Sequence, residues 1–272
     1  MKKAVLIITG ALFSSISHAK TTCPVAECMS CGDDCLAYVT TLQDESGQDK
    51  TWANGAPQQK LTIIGTGQMT NFSLVDNSPS GNDYSSNAPW EPYWKTVKEI
   101  DVSGVENIGQ AAFRHFLMAT DVTIADSVTA IGRWAFDYLP SLQNLQLSDN
   151  LQSIGYQAFS YTPLKDFTIS EKINTIESAV FSHTPSSTLM YCATSKIDLC
   201  RQALKNSGFT DEQIKNKLKS YENVAGQYLY EGKFYTNPSD ILNRNNIKKR
   251  IYTVDEAAVV TGKKNKVMIK YK

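Results

Sequence analysis

The chain has 272 residues, 27 of them Lys or Arg and 27 Asp or Glu, and 42% are apolar. Balanced charge offers no electrostatic basis for nucleic-acid binding. The longest apolar stretch is N-terminal and about ten residues, half of a bilayer span, so no transmembrane segment is expected. The balance conceals an asymmetry. Residues 20–195 hold 9 basic against 19 acidic residues, a net −10, and residues 196–272 hold 16 against 8, a net +8. The lysines are dispersed among strand and turn residues, which suits an ordinary solvated surface. An end that meets anionic cell-surface polymers is the sharper reading.

Residues 1–19 read as a signal peptide. Lys2 and Lys3 form a basic start, Ala4 to Phe13 an apolar stretch, and Ser17-His18-Ala19 a small-X-small cleavage site. Lys20-Thr21-Thr22 before Cys23 is not the apolar context of a lipidation site. Export without a lipid anchor is expected, to the cell surface or beyond it, with the periplasm as the alternative. All six cysteines lie in the exported part, where an even count reads as disulfides. Cys192 and Cys200 are isolated from the rest and are expected to pair. Cys23, Cys28, Cys31 and Cys35 allow three connectivities, and spacing does not choose among them. A zinc site is the rival, since Cys28-X-X-Cys31 has ligand spacing, but the second Cys-X-X-Cys of a zinc signature is missing.

A polar stretch from Asp44 to Gln59 follows, then the apolar run Leu61-Thr62-Ile63-Ile64. Asp76 to Asn87, rich in Ser, Asn and Gly, reads as a loop. Trp90, Tyr93 and Trp94 form an aromatic cluster, suited either to packing or to holding a sugar or peptide.

From residue 97 the chain repeats. Ile108-Gly109-Gln110-Ala111-Ala112-Phe113, Ile131-Gly132-Arg133-Trp134-Ala135-Phe136, Ile154-Gly155-Tyr156-Gln157-Ala158-Phe159 and Ile176-Glu177-Ser178-Ala179-Val180-Phe181 place their phenylalanines 23, 23 and 22 residues apart. A period in this range predicts stacked units, because one unit cannot bury its own apolar face. Each unit opens with an alternating apolar pair: Ile100/Val102, Val122/Ile124, Leu145/Leu147, Phe167/Ile169 and Leu189/Tyr191. These read as short strands in a parallel sheet. Gly109, Gly132 and Gly155 are expected to adopt a backbone conformation that a side chain would obstruct. Glu177 takes that place in the last copy, where the constraint is expected to relax.

These units resemble the bacterial BspA-like leucine-rich repeats, and Asp126-Ser127-Val128-Thr129-Ala130-Ile131-Gly132-Arg133-Trp134-Ala135-Phe136 lies close to that family's pattern. Cys31-Gly32-Asp33-Asp34, the stretch from Leu61 to Met69, and Ala88-Pro89-Trp90 are similar to its N-terminal capping strands. The resemblance covers about residues 31–192 and implies a solenoid. It also implies a cell-surface or secreted role in attachment to proteins or other macromolecules. The expected organisation is a signal peptide (1–19), a cysteine-rich N-terminal β cap (20–96), BspA-like repeats (97–192) and a C-terminal capping module (193–272). The fold class is α+β, a short leucine-rich repeat solenoid.

Side chains between the buried strand residues point outward, since strand periodicity is two. One outward column is Glu99, Asp121, Asn144 and Asp166; the next is Asp101, Thr123, Gln146 and Thr168. Together they form a polar, acidic candidate binding face. A third column, Ser103, Ala125, Ser148 and Ser170, is small. His115 and His183 each stand two residues after a repeat phenylalanine, where Tyr138 and Tyr161 stand in the copies between them. They form one structural column, two units apart, and cannot jointly hold a metal. No Gly-X-Ser-X-Gly elbow, phosphate loop or His-Glu-X-X-His helix occurs. No catalysis, metal or small-molecule cofactor is expected.

After Cys200 the pattern changes. A helix is expected over about 198–206. Thr210-Asp211-Glu212-Gln213 reads as a capping box opening a second helix to about Glu222. Strands follow at Gln227–Tyr230 and Lys233–Tyr235, then a helix from Thr253 to Val260 and a strand over Lys266–Tyr271. The sequence therefore reads as an exported, non-catalytic macromolecule-binding protein. A periplasmic assembly component that docks a partner from its own cell is the alternative.

Overall fold

The computed structural model describes residues 20–76, 84–224, 227–230 and 233–235. The leader and the elements expected beyond residue 250 lie outside the described residues. Three strands come first: β1 (Met29–Gly32), β2 (Cys35–Thr41) and β3 (Gln59–Gly65). They pair antiparallel in that order. β4 (Leu74–Asp76) and β5 (Tyr84–Ser86) form an antiparallel pair, so part of the expected loop is strand. The polar stretch leaves β2 at Thr41 and returns to β3 at Gln59, opposite each other in register.

The repeats follow. Each supplies one longer and one two-residue strand: β6 (Val97–Val102) and β7 (Asn107–Ile108), β8 (Asp121–Ile124) and β9 (Ala130–Ile131), β10 (Asn144–Gln146) and β11 (Ser153–Ile154), β12 (Asp166–Ile169) and β13 (Thr175–Ile176). The longer strands continue the first sheet in parallel, in the order β1-β2-β3-β6-β8-β10. The two-residue strands, which carry the signature isoleucines, form a second parallel sheet from β7 to β13. The architecture is of leucine-rich repeat type, mostly strand with parallel sheets and few helices.

The core is built from the apolar columns. Ile100, Val102, Val122, Ile124, Phe167 and Ile169 are each at most 2% exposed. Phe113, Phe136, Phe159 and Phe181 stack one unit on the next, with ring centroids 5.2, 5.4 and 6.3 Å apart and planes within 20°, 2° and 3°. Trp90 caps this column. It is fully buried, stacks on Phe113 at 5.6 Å, meets Phe72 edge-on, and donates its indole N–H to Ala112 O at 2.7 Å. Its place in the aromatic cluster is therefore explained by packing, with the indole's one polar atom satisfied.

The signature glycines have a different cause from the one expected. None of the three has a left-handed backbone; what excludes a side chain is the neighbouring unit. A Cβ on Gly132 would stand 2.6 Å from Gln110 N and 2.8 Å from Gly109 C, and one on Gly155 would meet Arg133 N at 2.6 Å. Glu177 carries a side chain at this place in the last copy, and that side chain is engaged. Its carboxylate accepts the Tyr156 N–H at 2.9 Å and pairs with Arg133 at 3.1 Å, bridging three units.

The long sheet is interrupted once. Pro163-Leu164 stands where Pro140-Ser141-Leu142 stands one unit earlier, one residue short. Beyond that turn β12 does not join β10 but begins a separate sheet with β14 (Leu189–Ala193), β15 (Leu218–Val224), β16 (Gln227–Tyr230) and β17 (Lys233–Tyr235). In β14 the register differs by one from expectation. Phe167 pairs with Met190 and Ile169 with Cys192, so Met190 and Cys192 continue the core column rather than Leu189 and Tyr191. The turn at Pro185-Ser186-Ser187 restores the missing residue.

Two helices connect β14 to β15. α1 (Ile197–Asn206) buries Cys200, Ala203 and Leu204 on one face. α2 (Asp211–Lys217) opens with the expected capping box, Thr210 accepting from Gln213 N while the Gln213 side chain accepts from Thr210 N. It stops at Lys217 rather than near Glu222. Leu218–Tyr221 instead pairs in parallel with β14, whose free edge offers backbone partners, and Glu222–Val224 pairs antiparallel with β16. Among the described residues no helix is long and apolar enough to cross a membrane.

Candidate functional site

The two outward columns assemble as far as the sheet continues. Glu99, Asp121 and Asn144 are register partners across β6, β8 and β10, and so are Asp101, Thr123 and Gln146. Asp166 and Thr168 sit on β12, which does not pair with β10. Thr168 is a correction: it is 6% exposed, because its register partner Tyr191, itself fully buried, lies beside it on the same face. The small third column is closed only in its last two members, Ser103 and Ala125 being half-buried. Ser148 is 1% and Ser170 2% exposed, and Ser170 Oγ donates to Asp149 O and accepts from Lys172 N.

The face is less acidic than its composition suggests. Asp101 pairs with Lys60 at 2.8 Å. Both oxygens of Asp121 are engaged, one by Thr120 Oγ1 and the other by Asn144 Nδ2, each at 2.6 Å. Glu99, Thr123, Gln146 and Asp166 remain as the side chains with no bond to another described residue. This is a polar hydrogen-bonding surface in which Lys60 offsets Asp101, while Glu99, Asp121 and Asp166 remain its acidic members without a cationic partner among the described residues.

The cysteines form three bridges: Cys23–Cys28, Cys31–Cys35 and Cys192–Cys200, with Cα separations of 5.8, 5.0 and 6.6 Å. Cys28 and Cys31, spaced like metal ligands, belong to different bridges. The third bridge ties the end of β14 to α1.

On the edge of each unit lies a feature the sequence marks only as a column. His115, Tyr138, Tyr161 and His183 all have left-handed backbones, with φ of 67°, 62°, 53° and 60°. The first three are locked by their own amides, which donate to the next unit at Asp137 O (3.0 Å), Ser160 O (2.9 Å) and Ser182 O (3.0 Å). A left-handed conformation in a bulky residue costs about 1–3 kcal/mol and persists only where its surroundings enforce it. Glycine or asparagine would bear it more cheaply. Yet Tyr138 and Tyr161, 41% and 47% exposed, are among the few large apolar side chains outside the core. Ring centroids along this column are 4.7, 6.0 and 3.9 Å apart, and the planes are tilted by 48°, 49° and 7°. At the far end Tyr161 Oη and His183 Nε2 lie 3.2 Å apart.

A depression of about 560 Å³ opens beside the splayed part of the column, lined by Trp94, Arg114, His115, Asp137, Tyr138 and Tyr161. Gln157 also lines it and accepts from the Trp134 indole at 2.8 Å. Arg114 Nε and Asp137 Oδ2 form a largely buried ion pair at 2.8 Å. Burial pushes the Asp137 carboxyl up from its ordinary value, while the Arg114 guanidinium and the more distant His183 oppose the shift. The sequence showed the column's period but not its backbone strain or ring splay, which depend on the turn geometry.

A family model for the BspA type leucine-rich repeat region matches residues 93–225 in six copies. Solved structures of leucine-rich repeat proteins are similar. One from Eubacterium ventriosum is 24% identical over 51% of this chain and 40% of that chain, with a TM-score of 0.37. One from Bacteroides ovatus is 22% identical over 58% and 46%, with a TM-score of 0.35. A third, from T. pallidum, is 17% identical over 60% and 94%, with a TM-score of 0.33. The chain spans less than half the length of the first two. No curated protein sequence matches it. Such repeats typically serve protein interaction rather than catalysis, and BspA-type proteins are exported bacterial proteins. Residues 93–225 are thus a BspA type leucine-rich repeat region.

Proposed function

We propose that the chain is an exported, non-catalytic adhesion or surface-interaction module that docks a protein on the open face of β6, β8 and β10. The observation that carries this reading is the in-register row of outward polar side chains, with Glu99, Thr123 and Gln146 not bound to their neighbours. Parallel strands about 4.8 Å apart hold such side chains at fixed spacing, so binding orders little besides the partner. Asp166 extends the row at the margin of the next sheet; Asp101, Asp121 and Asn144 hold their neighbours in place. The N-terminal strands (20–96) and the segment from residue 193 cover the two ends of a solenoid over 97–192, since a repeat stack exposes apolar surface unless its ends are sealed. Residues 1–19 direct export, and the three disulfides suit an oxidising compartment.

A photo-crosslinker at Gln146, expressed in the native cell, is expected to capture a protein that one at Thr175, on the other sheet, does not. Equal capture at both positions, or none at either, would sink the face. Protease treatment of intact cells, with a periplasmic protein as control, sorts the compartment. Digestion with the control intact places the chain outside, as adhesion requires. Protection until the envelope is opened favours the second reading, a periplasmic assembly component.

A further inference from the structure

We propose that the splayed aromatic column His115, Tyr138 and Tyr161, with Arg114, Asp137 and Gln157 beside it, is a second binding site, and that it takes a neutral glycan chain. This goes beyond the protein-docking face and does not depend on it. The starting point is a contrast inside one repeat. The phenylalanines two residues earlier share the same period and close into a stack with planes within 2–20°. The exposed rings are tilted by 48° and 49°, which leaves parts of their faces open to solvent. The depression of about 560 Å³ lies against this tilted stretch and not against His183, where Tyr161 closes to 3.9 Å and 7°.

Folding does not call for these rings. They fill no core, and each occupies a left-handed position at which a smaller residue is less strained. Left-handed backbone also recurs four residues earlier in each unit, at Ala111, Trp134, Gln157 and Ala179, so it belongs to the repeat turn; what sets this column apart is that exposed aromatic rings stand on it in a row.

The lining selects the ligand class. Aromatic rings offer faces to the C–H side of a sugar, and the planar polar groups of Arg114, Asp137 and Gln157 suit its hydroxyls. Arg114 and Asp137 are paired with each other, so the depression carries no net charge to attract a phosphate or a uronic acid. Its volume lies within the range of about 300–1,000 Å³ usual for small-ligand sites. From His115 to Tyr161 the column spans two unit steps, about 9.6 Å, long enough for a disaccharide stretch of a longer chain.

The test titrates the exported, disulfide-bonded chain with cellotetraose, chitotetraose and maltotetraose by calorimetry, with tetragalacturonate as the anionic comparison. At least one neutral tetrasaccharide is expected to bind. The double variant Tyr138→Asn/Tyr161→Asn is expected to weaken that binding by about tenfold or more. Its melting temperature should hold or rise, because asparagine accepts the left-handed backbone. No binding of any neutral probe at millimolar concentration would overturn the proposal, as would a preference for tetragalacturonate. Undiminished binding by the double variant would overturn it too, and so would loss of binding accompanied by a fall in melting temperature, which would make the rings structural.

Discussion

Two aromatic columns run through the same repeats, two residues apart, and behave in opposite ways. The inner one, Phe113 to Phe181, is at most 1% exposed, and its rings close nearly parallel. The outer one, His115 to His183, has strained backbones and, over its first three members, splayed rings. Both inherit their spacing from one period, so periodicity alone does not distinguish scaffold from site. Burial does. In the core, contact area decides ring geometry and the unit closes around it. At the edge the backbone ladder fixes the Cα positions and leaves the rings free to tilt.

The largest effect that separates the columns is expected inside. Phe136→Ala removes a ring stacked on both sides and should cost about 3–5 kcal/mol in denaturant unfolding. A cost near that of a surface substitution would mean the units are not held by the phenylalanines.

Next comes the crowding that spaces the units. Gly132→Ala puts a methyl group 2.6 Å from a backbone nitrogen of the preceding unit, and overpacking of this kind costs about 1–3 kcal/mol. Alanine at Gly47, where nothing lies within 4 Å of a Cβ, separates contact from backbone strain, since its φ of 83° leaves only the latter.

A smaller effect extends the burial rule to charge. Lys217 is 2% exposed, donates to Pro185 O and to Thr188 O, and stands 4.5 Å over the Phe209 ring. Burial lowers its pKa from 10.5 to about 8. Above that value the folded chain has released a proton that the unfolded chain keeps until about 10.5, so unfolding takes up a proton and stability rises with pH across this window. Below about 8 both states are charged and the slope vanishes. Lys217→Met should remove this rise from the pH dependence of the unfolding free energy; an identical profile would show that the lysine is not desolvated.

Much of this was legible in the sequence. Sheet direction follows from spacing, because a stacked unit must return to the same place; repeat number does not, since four signature copies and five strand pairs are legible where the family model matches six copies. The register of β14 was not legible either. Counting 22 residues from Phe167 points to Leu189, whereas the first core-column residue of the strand comes nine residues after its phenylalanine in Phe113→Val122, Phe136→Leu145 and Phe181→Met190, and eight only in Phe159→Phe167. One short turn and one compensating turn defeat a fixed period. Thr168 was misplaced because a face can be covered by its neighbour, here Tyr191, which no alternation reveals. The helix over 211–222 was overextended because its capping box marks a start, while its end was set by pairing with β14.

The most direct measurement is a pair of thermal melts, Phe136→Ala beside Tyr138→Asn/Tyr161→Asn. Burial as the deciding variable predicts a clear fall for the first and no fall for the second. Equal falls would make the outer column part of the scaffold and contradict the division between the two.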